Sequence, residues 1–350
     1  MRILSIDTSC DETAAAVTDG VKILSNVIWS QASAHAKFGG VMPSLAQRMH
    51  EERIDWVIEK AMLNAKCKTI NLDAVAVTVG PGLSIALGVG IDRARKLAIK
   101  YDKKIIGVNH LEAHLLSPLA ITNSQFSISN QLSNIQFPSL GLVVSGGNTL
   151  LVKINKIGSY ETLAQTSDDA LGEAFDKAAR MLGLGYPGGA ILEKMSKLGN
   201  PTKYKLPIPL LGQEDRMIFS YSGLKTSMMR KIAEVKSRDG ELSKQDVYDL
   251  AASFQDVALT HLIRVSSFVI ENCKLKIENL LVGGGVSANV ELRSRIRQMC
   301  KKYNLQASFP YSKKLTGDNA AMIGIAASFK YNREEFTEVE KIDRNPNLKI

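Results

Sequence analysis

The apolar pattern of this chain runs through the same cycle twice, and that repetition most limits the folds open to it. Residues 2–7 alternate as a strand does, 14–17 and 21–29 continue as two more, and Asp19-Gly20 between them is a hairpin turn. Helical spacing follows over 44–64, where Leu45, Met49, Ile54, Val57 and Ile58 form a stripe. A buried type of strand at 73–79 ends at Gly80-Pro81-Gly82, a helix covers 88–101, and a strand at 104–108 leads into His110. The polar stretch 123–137, rich in Ser, Asn and Gln, reads as a linker. The cycle then restarts with strands at 140–145, 149–154 and 160–165 and a helix at 171–182. A long helix at 244–272 precedes a buried strand at 277–282 that ends in Gly283-Gly284-Gly285. A helix at 289–303, a short strand at 306–311 and a helix at 318–330 close the pattern, and the last twenty residues read as a loose charged tail.

Two halves that each begin with a three-strand meander and continue in alternating helix and strand match the plan of the actin-like ATPase fold. The expected architecture is α/β: an N-terminal lobe at 1–125, a C-terminal lobe at 136–330 and a tail at 331–350. Each lobe is a mixed sheet with flanking helices, and the active site lies in the cleft. A chain of 350 residues with 45% hydrophobic and 23% charged residues can build two such cores, which excludes a disordered protein. No apolar run approaches the roughly 18 residues of a membrane span. The start, MRILSIDTSCDETAAAV, has neither a signal-peptide nor a transit-peptide pattern, so a cytoplasmic protein is expected. Cys10, Cys67, Cys273 and Cys300 lack CxxC spacing, which argues against a zinc knuckle, a redox pair or a disulfide framework. The formal charge, 44 − 35 = +9, is mild. Arg93, Arg95, Lys96 and Lys100 on one helix and Arg293, Arg295, Arg297, Lys301 and Lys302 on another are either solvated faces or contacts for a polyanion such as RNA.

Three turns sit at strand ends: 7–12 (DTSCDE), 145–149 (SGGNT) and 283–289 (GGGVSAN). Glycine lets backbone N–H groups approach a ligand closely, so the two Gly-rich turns are either phosphate cradles or plain tight turns. In Asn109-His110-Leu-Glu-Ala-His114, two histidines four residues apart share one helix face and can reach a single metal ion. Locally, a surface or capping pair explains them as well, and the residue after His110 is Leu111, so the general base of a zinc peptidase is missing. Asp318 is a candidate third ligand, although at a loop-to-helix junction an N-cap is its simpler role. Asp168, Asp169, Glu173 and Asp176 cluster near one helix start, where acidic residues are expected electrostatically. Ser222 reads as the cap of a helix entry, and Lys225 either meets ligand or simply packs. No Ser/His/Asp order stands out, and Cys10 reads as a small residue beside the first turn.

Nine ordered segments carry a resemblance over residues 1–330: SIDTSCDET, FGGVMPSLAQRMH, VGPGLSIALGVG, VNHLEAHLLSP, VVSGGNT, DDALGEAFDKAARMLGLGYPGG, SYSGLKTS, GGGVSAN and TGDNAAMIG. They resemble the bacterial type of tRNA threonylcarbamoyladenosine transferases, formerly called glycoproteases. The resemblance implies transfer of a threonylcarbamoyl group from threonylcarbamoyl-AMP to the adenosine beside the anticodon in tRNAs reading ANN codons. It implies a metal ion, iron or otherwise zinc, on His110, His114 and Asp318. The adenylate would lie against Val143, Val144, Ser145, Gly146 and Gly147, with Asp176, Gly189 and Asn289 around its sugar and base. Glu12, with His110 and His114, would stand at the reacting end. The implied partners are tRNA, a dimerising paralogue and a small ATPase, with no membrane.

The chain departs from the family pattern at Asp7 (usually Glu), Ser44 (Glu), Ala113 (Gly), Asn148 (His) and Gly317 (Thr), and keeps all three implied ligands. Two other readings are a non-catalytic scaffold relative, for which a retained metal triad has no use, and a sugar-kinase-like ATPase, which would carry a Gly-rich first turn where Thr8-Ser9-Cys10 stands.

Overall fold

A computed structural model describes residues 1–121, 135–272 and 277–350. Most of the expected linker at 123–137 lies outside the described residues, as does Cys273. The described chain falls into two compact units: residues 1–137, 154–160 and 308–350 in the first, and 138–153 with 161–307 in the second.

The first unit opens with β1 (Arg2–Asp7), β2 (Glu12–Asp19) and β3 (Lys22–Ser30), followed by α1 (Ala32–Ala36) and α2 (Pro43–Asn64). Then come β4 (Ala74–Gly80), α3 (Ser84–Tyr101), β5 (Lys104–Asn109) and α4 (His110–Leu116). The second cycle holds β6 (Ser139–Val144), β7 (Thr149–Lys156), β8 (Ser159–Thr166), α5 (Leu171–Met181) and α6 (Gly189–Ser196). It continues through β9 (Ile218–Phe219), α7 (Ser222–Asp239), α8 (Lys244–Asn272), β10 (Asn279–Gly283), α9 (Val290–Lys302), β11 (Gln306–Ser308) and α10 (Ala320–Asn332).

The sheets have the orders β3-β2-β1-β4-β5 and β11-β10-β6-β7-β8-β9. Read in reverse without the short β9, the second is the first repeated: β6 corresponds to β1, β10 to β4 and β11 to β5. In both, a parallel neighbour is added beside the first strand of the meander, β4 on β1 and β10 on β6. Parallel strands deliver their carboxyl ends to one sheet edge. In the first sheet that edge gathers Asp7, Gly80 and Asn109; in the second it gathers Val144 and Gly283.

Alternation along β1 sets the layers of the first unit. Leu4 and Ile6 join Ile54, Val57 and Ile58 of α2 and Leu87 and Ile91 of α3 in one cluster. Ser5 points the other way and donates to the Ala320 carbonyl of α10 at 2.6 Å. The buried line of α2 runs Ala46, His50, Ile54, Val57, Ile58 and Ala61, one residue off the expected stripe at its start, so His50 rather than Met49 faces inward.

Three expectations change. Residues 308–330, expected in the second lobe, pack with the first unit, because α10 lies on β1 and β2: at Gly324 a Cβ would come within 2.7 Å of Thr18. The tail is bound rather than loose. Ile342 is 2% exposed in the first core, Thr337 N–H donates to the Ile105 carbonyl, and Asn345 N–H donates to the Val79 carbonyl at 2.7 Å. Arg95 reaches the carbonyls of Val339 and Ile342, and Asn109 Nδ2 reaches that of Lys349. Finally, a full helix α7 occupies 222–239, where only a helix entry was read.

Candidate metal centre

At the edge where β1, β4 and β5 end, the chain turns from β5 directly into α4. Asn109 caps that helix, its side-chain oxygen accepting from the N–H groups of Leu111 and Glu112. The cap fixes the first turn, so His110 and His114 project from one face, both buried, with ring centroids 4.6 Å apart and planes at 80°. A surface or capping pair is thereby ruled out.

Asp318 comes to them from the start of α10. It is not the N-cap read from its local sequence: Asn319 takes that role, accepting from Met322 N–H at 3.1 Å, which leaves the Asp318 carboxylate to face the histidines. Its Oδ1 lies 3.4 Å from His110 Nε2 and 3.1 Å from His114 Nε2. One ligand atom from each of the three residues falls within 4.8 Å of the others.

The histidines are held differently behind this face. His110 Nδ1 meets Ser9 Oγ at 3.2 Å and Asp7 Oδ2 at 3.7 Å. Asp7 is in turn fixed by the Thr78 hydroxyl at 2.8 Å and the Ser9 N–H at 3.2 Å, both donating to Oδ1. His114 Nδ1 is buried with no hydrogen-bond partner among the described residues. Neither Ser9 nor Thr78 was singled out from sequence, although Ser9 lies inside the first turn.

The charges explain what such a cluster needs. Burial resists ionisation of Asp318, yet His110 and His114 outweigh it and hold the carboxyl far below its usual range. His110 is disfavoured as a cation by burial, but Asp318 and then Asp7 raise it to about 9. Burial and the neighbouring His110 lower His114. A proton on His110 is therefore favoured by Asp318 and by Asp7, whose own carboxyl burial raises and His110 lowers, and a divalent cation can take that place. Two imidazoles presenting Nε2, a carboxylate, and an Nδ1 held by outer partners form a donor set suited to iron(II) or zinc. The residues fit a metal ion.

Glu12, at the start of β2, is half-buried beside the first turn. Burial raises its carboxyl to about 10, with Asp318 and Asp11 adding to the shift, and Ser30 Oγ donates to it at 3.2 Å. Glu112 points off the metal face and accepts from the Tyr160 hydroxyl at 2.8 Å.

The second unit repeats the edge with different chemistry. Val143 and Val144 are fully buried strand residues. After them Ser145 N–H donates to the Asn148 carbonyl at 2.8 Å, while Gly146 and Gly147 open onto empty space. Gly172 lets α5 seat its first turn on this loop, since a Cβ there would lie 2.6 Å from the Ser145 carbonyl oxygen. Gly284 sits at φ +91° over the Val144 backbone, a position closed to any side chain. Asp176 Oδ1 accepts from both Gly188 and Gly189 N–H at 2.8 Å and so shapes the Tyr186–Gly189 turn. Asn289 caps α9 through Leu292 N–H and donates to Gln255, which commits both ends of its amide to the protein.

Asp168 was missed as a cap. It accepts from the N–H groups of Tyr221 and Ser222 and from the hydroxyls of Ser220 and Ser222, which is the task first read for Ser222. Lys225 pairs with Asp169 at 3.0 Å, and Lys177 pairs with it at 2.5 Å. Several candidate polyanion contacts are also paired internally: Arg93 with Asp55, Arg295 with Asp256 and Glu291, and Lys302 with Glu271.

Duplicated sheets of this order define an actin-like ATPase fold, in which the first sheet carries a buried His/His/Asp group able to hold a metal ion and the second carries glycine turns. Solved structures agree on the fold: component A of (R)-2-hydroxyglutaryl-CoA dehydratase from Acidaminococcus fermentans aligns with TM-score 0.51 at 12% identity, covering 93% of this chain and 99% of that one. Full-length HypF in its phosphate- and nucleotide-bound form aligns with TM-score 0.57 at 15% identity, covering 95% of this chain and 46% of that one.

Sequence comparison gives the particular branch. The TsaD profile, described as tRNA N6-adenosine threonylcarbamoyltransferase, matches residues 22–325. Proteins of that name from Clostridium kluyveri and Chelativorans sp. are 41% and 44% identical, the first covering 100% of this chain and 98% of its own length, the second 93% and 88%. One from Pelagibacter ubique is 39% identical over 97% of this chain and 92% of its own length. The chain belongs to the tRNA N6-adenosine threonylcarbamoyltransferase family. Among the described residues no helix is long and apolar enough to cross a membrane.

Proposed function

We propose that this protein transfers the threonylcarbamoyl group of threonylcarbamoyl-AMP to N6 of the adenosine beside the anticodon in tRNAs that read ANN codons. The observation that carries the reading is the buried convergence of His110, His114 and Asp318 in a chain matched along its length by this family. A new bond forms between N6 and the carbamoyl carbon, the mixed-anhydride C–O bond breaks, AMP leaves, and N6 gives up a proton.

The donor arrives activated, so no covalent nucleophile is needed, in keeping with the lack of a triad. His110, His114 and Asp318 would hold the metal, iron in first place, and a bound ion supplies Lewis acidity and orientation to an acyl donor. Asp7 and Ser9 keep His110 turned with Nε2 toward that position. Glu12 stands beside it as a half-buried acid group. In the second unit, Ser145, Gly146 and Gly147 with the buried backbone of Val143 and Val144 form the seat for the adenylate. Asp176 shapes that seat by ordering the turn at Gly189, and Asn289 by fixing the start of α9, so their action is through backbone placement. Orientation of the weakly nucleophilic amine by bound tRNA then contributes much of the rate. We assign the protein to the cytoplasm, working with a dimerising paralogue and a small ATPase.

The test is incubation of the metal-loaded protein with threonylcarbamoyl-AMP and unmodified tRNA, with and without those two partners, read as modified adenosine by nucleoside mass spectrometry. His110→Ala is expected to lower product formation at least about 100-fold. A folded, metal-loaded protein that makes no product in either arm would refute the assignment.

A further inference from the structure

The segment Phe38–His50, which the catalytic reading leaves without a task, ends on a histidine whose surroundings are unusual. His50 is 0% exposed on α2, and its ring nitrogens are bonded to the first turn and the start of β2 rather than to its own helix. Nε2 lies 3.0 Å from the Cys10 carbonyl oxygen, and Nδ1 lies 2.8 Å from the Thr13 hydroxyl. A carbonyl only accepts, so Nε2 carries a proton, and in the neutral ring Nδ1 accepts from the Thr13 hydroxyl. Burial favours the same form by lowering its pKa.

The two bonds bracket Asp11 and Glu12. From the other side, Gln31 N–H donates to the Asp11 carbonyl at 2.9 Å, and Ser30 Oγ donates to Glu12. Gln31 is itself tied to α2 through Ala46 and braced by His35, whose Nδ1 accepts from Met42 N–H and whose Nε2 donates to Gln31 Oε1 at 3.0 Å. Both nitrogens of this buried ring thus fall on one four-residue stretch, Cys10–Thr13, outside its own helix.

We propose that His50 is a positioning residue, clamping the Cys10 carbonyl and the Thr13 hydroxyl so that Asp11 and Glu12 are held in one place beside the metal centre. The clamp acts through the turn and touches neither substrate nor metal. Its catalytic consequence rests on the function proposed above; its structural consequence does not.

Two isosteres separate its halves. The amide of glutamine reaches the level of Nε2 and can keep the Cys10 bond, whereas asparagine reaches only the level of Nδ1 and keeps the Thr13 bond. His50→Leu, His50→Gln and His50→Asn are compared with wild type in two measurements on metal-loaded protein. In the transfer assay, Leu and Asn are expected to lower kcat about tenfold or more with donor KM within about twofold, and Gln to restore most of the rate. In the second, iodoacetamide labelling of Cys10 followed by peptide mass spectrometry is expected to quicken about fivefold in Leu and Asn and to stay near wild type in Gln. Equal labelling rates in all four proteins, or Asn behaving as wild type while Gln does not, would overturn the clamp. Full turnover by His50→Leu would overturn its role in the reaction. If wild type itself makes no modified adenosine, the function falls while the labelling order still decides the clamp; if Leu does not fold, Gln against Asn decides it.

Discussion

Asp7 replaces the glutamate common in the family, and the structure shows what the shorter carboxylate does. Its Oδ1 is spent on Thr78 and Ser9, leaving Oδ2 at 3.7 Å from His110 Nδ1. Removing its charge with Asp7→Asn should weaken metal binding roughly 10- to 100-fold, measured by chelator competition. An unchanged affinity would remove Asp7 from the centre. A second prediction concerns His261, in the second unit. It is 1% exposed and accepts from Ser220 N–H at Nε2, and burial lowers its pKa to about 4. Unfolded histidine titrates near 6.5, so between the two values the unfolded chain holds a proton that the native state lacks. Stability is therefore full above about pH 6.5 and falls as the pH drops toward about 4, by about 3 kcal/mol from this residue. Urea unfolding across that range should show the slope in wild type and lose it in His261→Gln.

Among the elements, α10 fits closely against the sheet, and Asp318 depends on it. A Cβ at Gly324 would come within 2.7 Å of both Thr18 Cγ2 and Oγ1 and 3.0 Å of Ser5 Oγ. Thr18 is stiff at χ1 and Ser5 is engaged with Ala320, so neither yields freely. Gly324→Ala should cost about 1–3 kcal/mol by denaturant unfolding, and Thr18→Ala in the same chain should recover part of it. Additive losses would mean the two do not meet. Legibility from sequence followed the range of the interactions involved. The meanders, α2 and α8 declare themselves by period, because one buried face repeats along the element. Helix α7 does not, since its cap, Asp168, lies 54 residues upstream of Ser222. Asp318 looks like a cap until Asn319 is seen to take that bond. The histidine pair was legible as a motif, but its burial was not, because the walls around it come from β1, β4 and α10.

At the scale of the molecule, the last residues act as a strap across the first unit, holding Val79, Gly82 and the Asn109 cap through backbone groups. Such bonds have no side-chain signature, which is why a charged, Pro-containing segment reads as loose. Ile342 is the apolar anchor of that strap, 2% exposed, so Ile342→Ala should lower stability by about 2–4 kcal/mol. Because the strap reaches the cap of α4, the variant should also release its metal faster to a chelator. Loss of stability with unchanged release would separate the strap from the centre.

The first unit is interrupted: residues 138–153 and 161–307 form the second unit before the chain returns. His114 and Asp318 are 204 residues apart, and the whole of that second sheet is made between them. During synthesis the two histidines emerge long before their carboxylate, so the ribosome exposes an incomplete ligand pair for most of translation. A metal ion held by all three residues would thus be enclosed late in the life of this chain, once α10 has docked on β1 and β2.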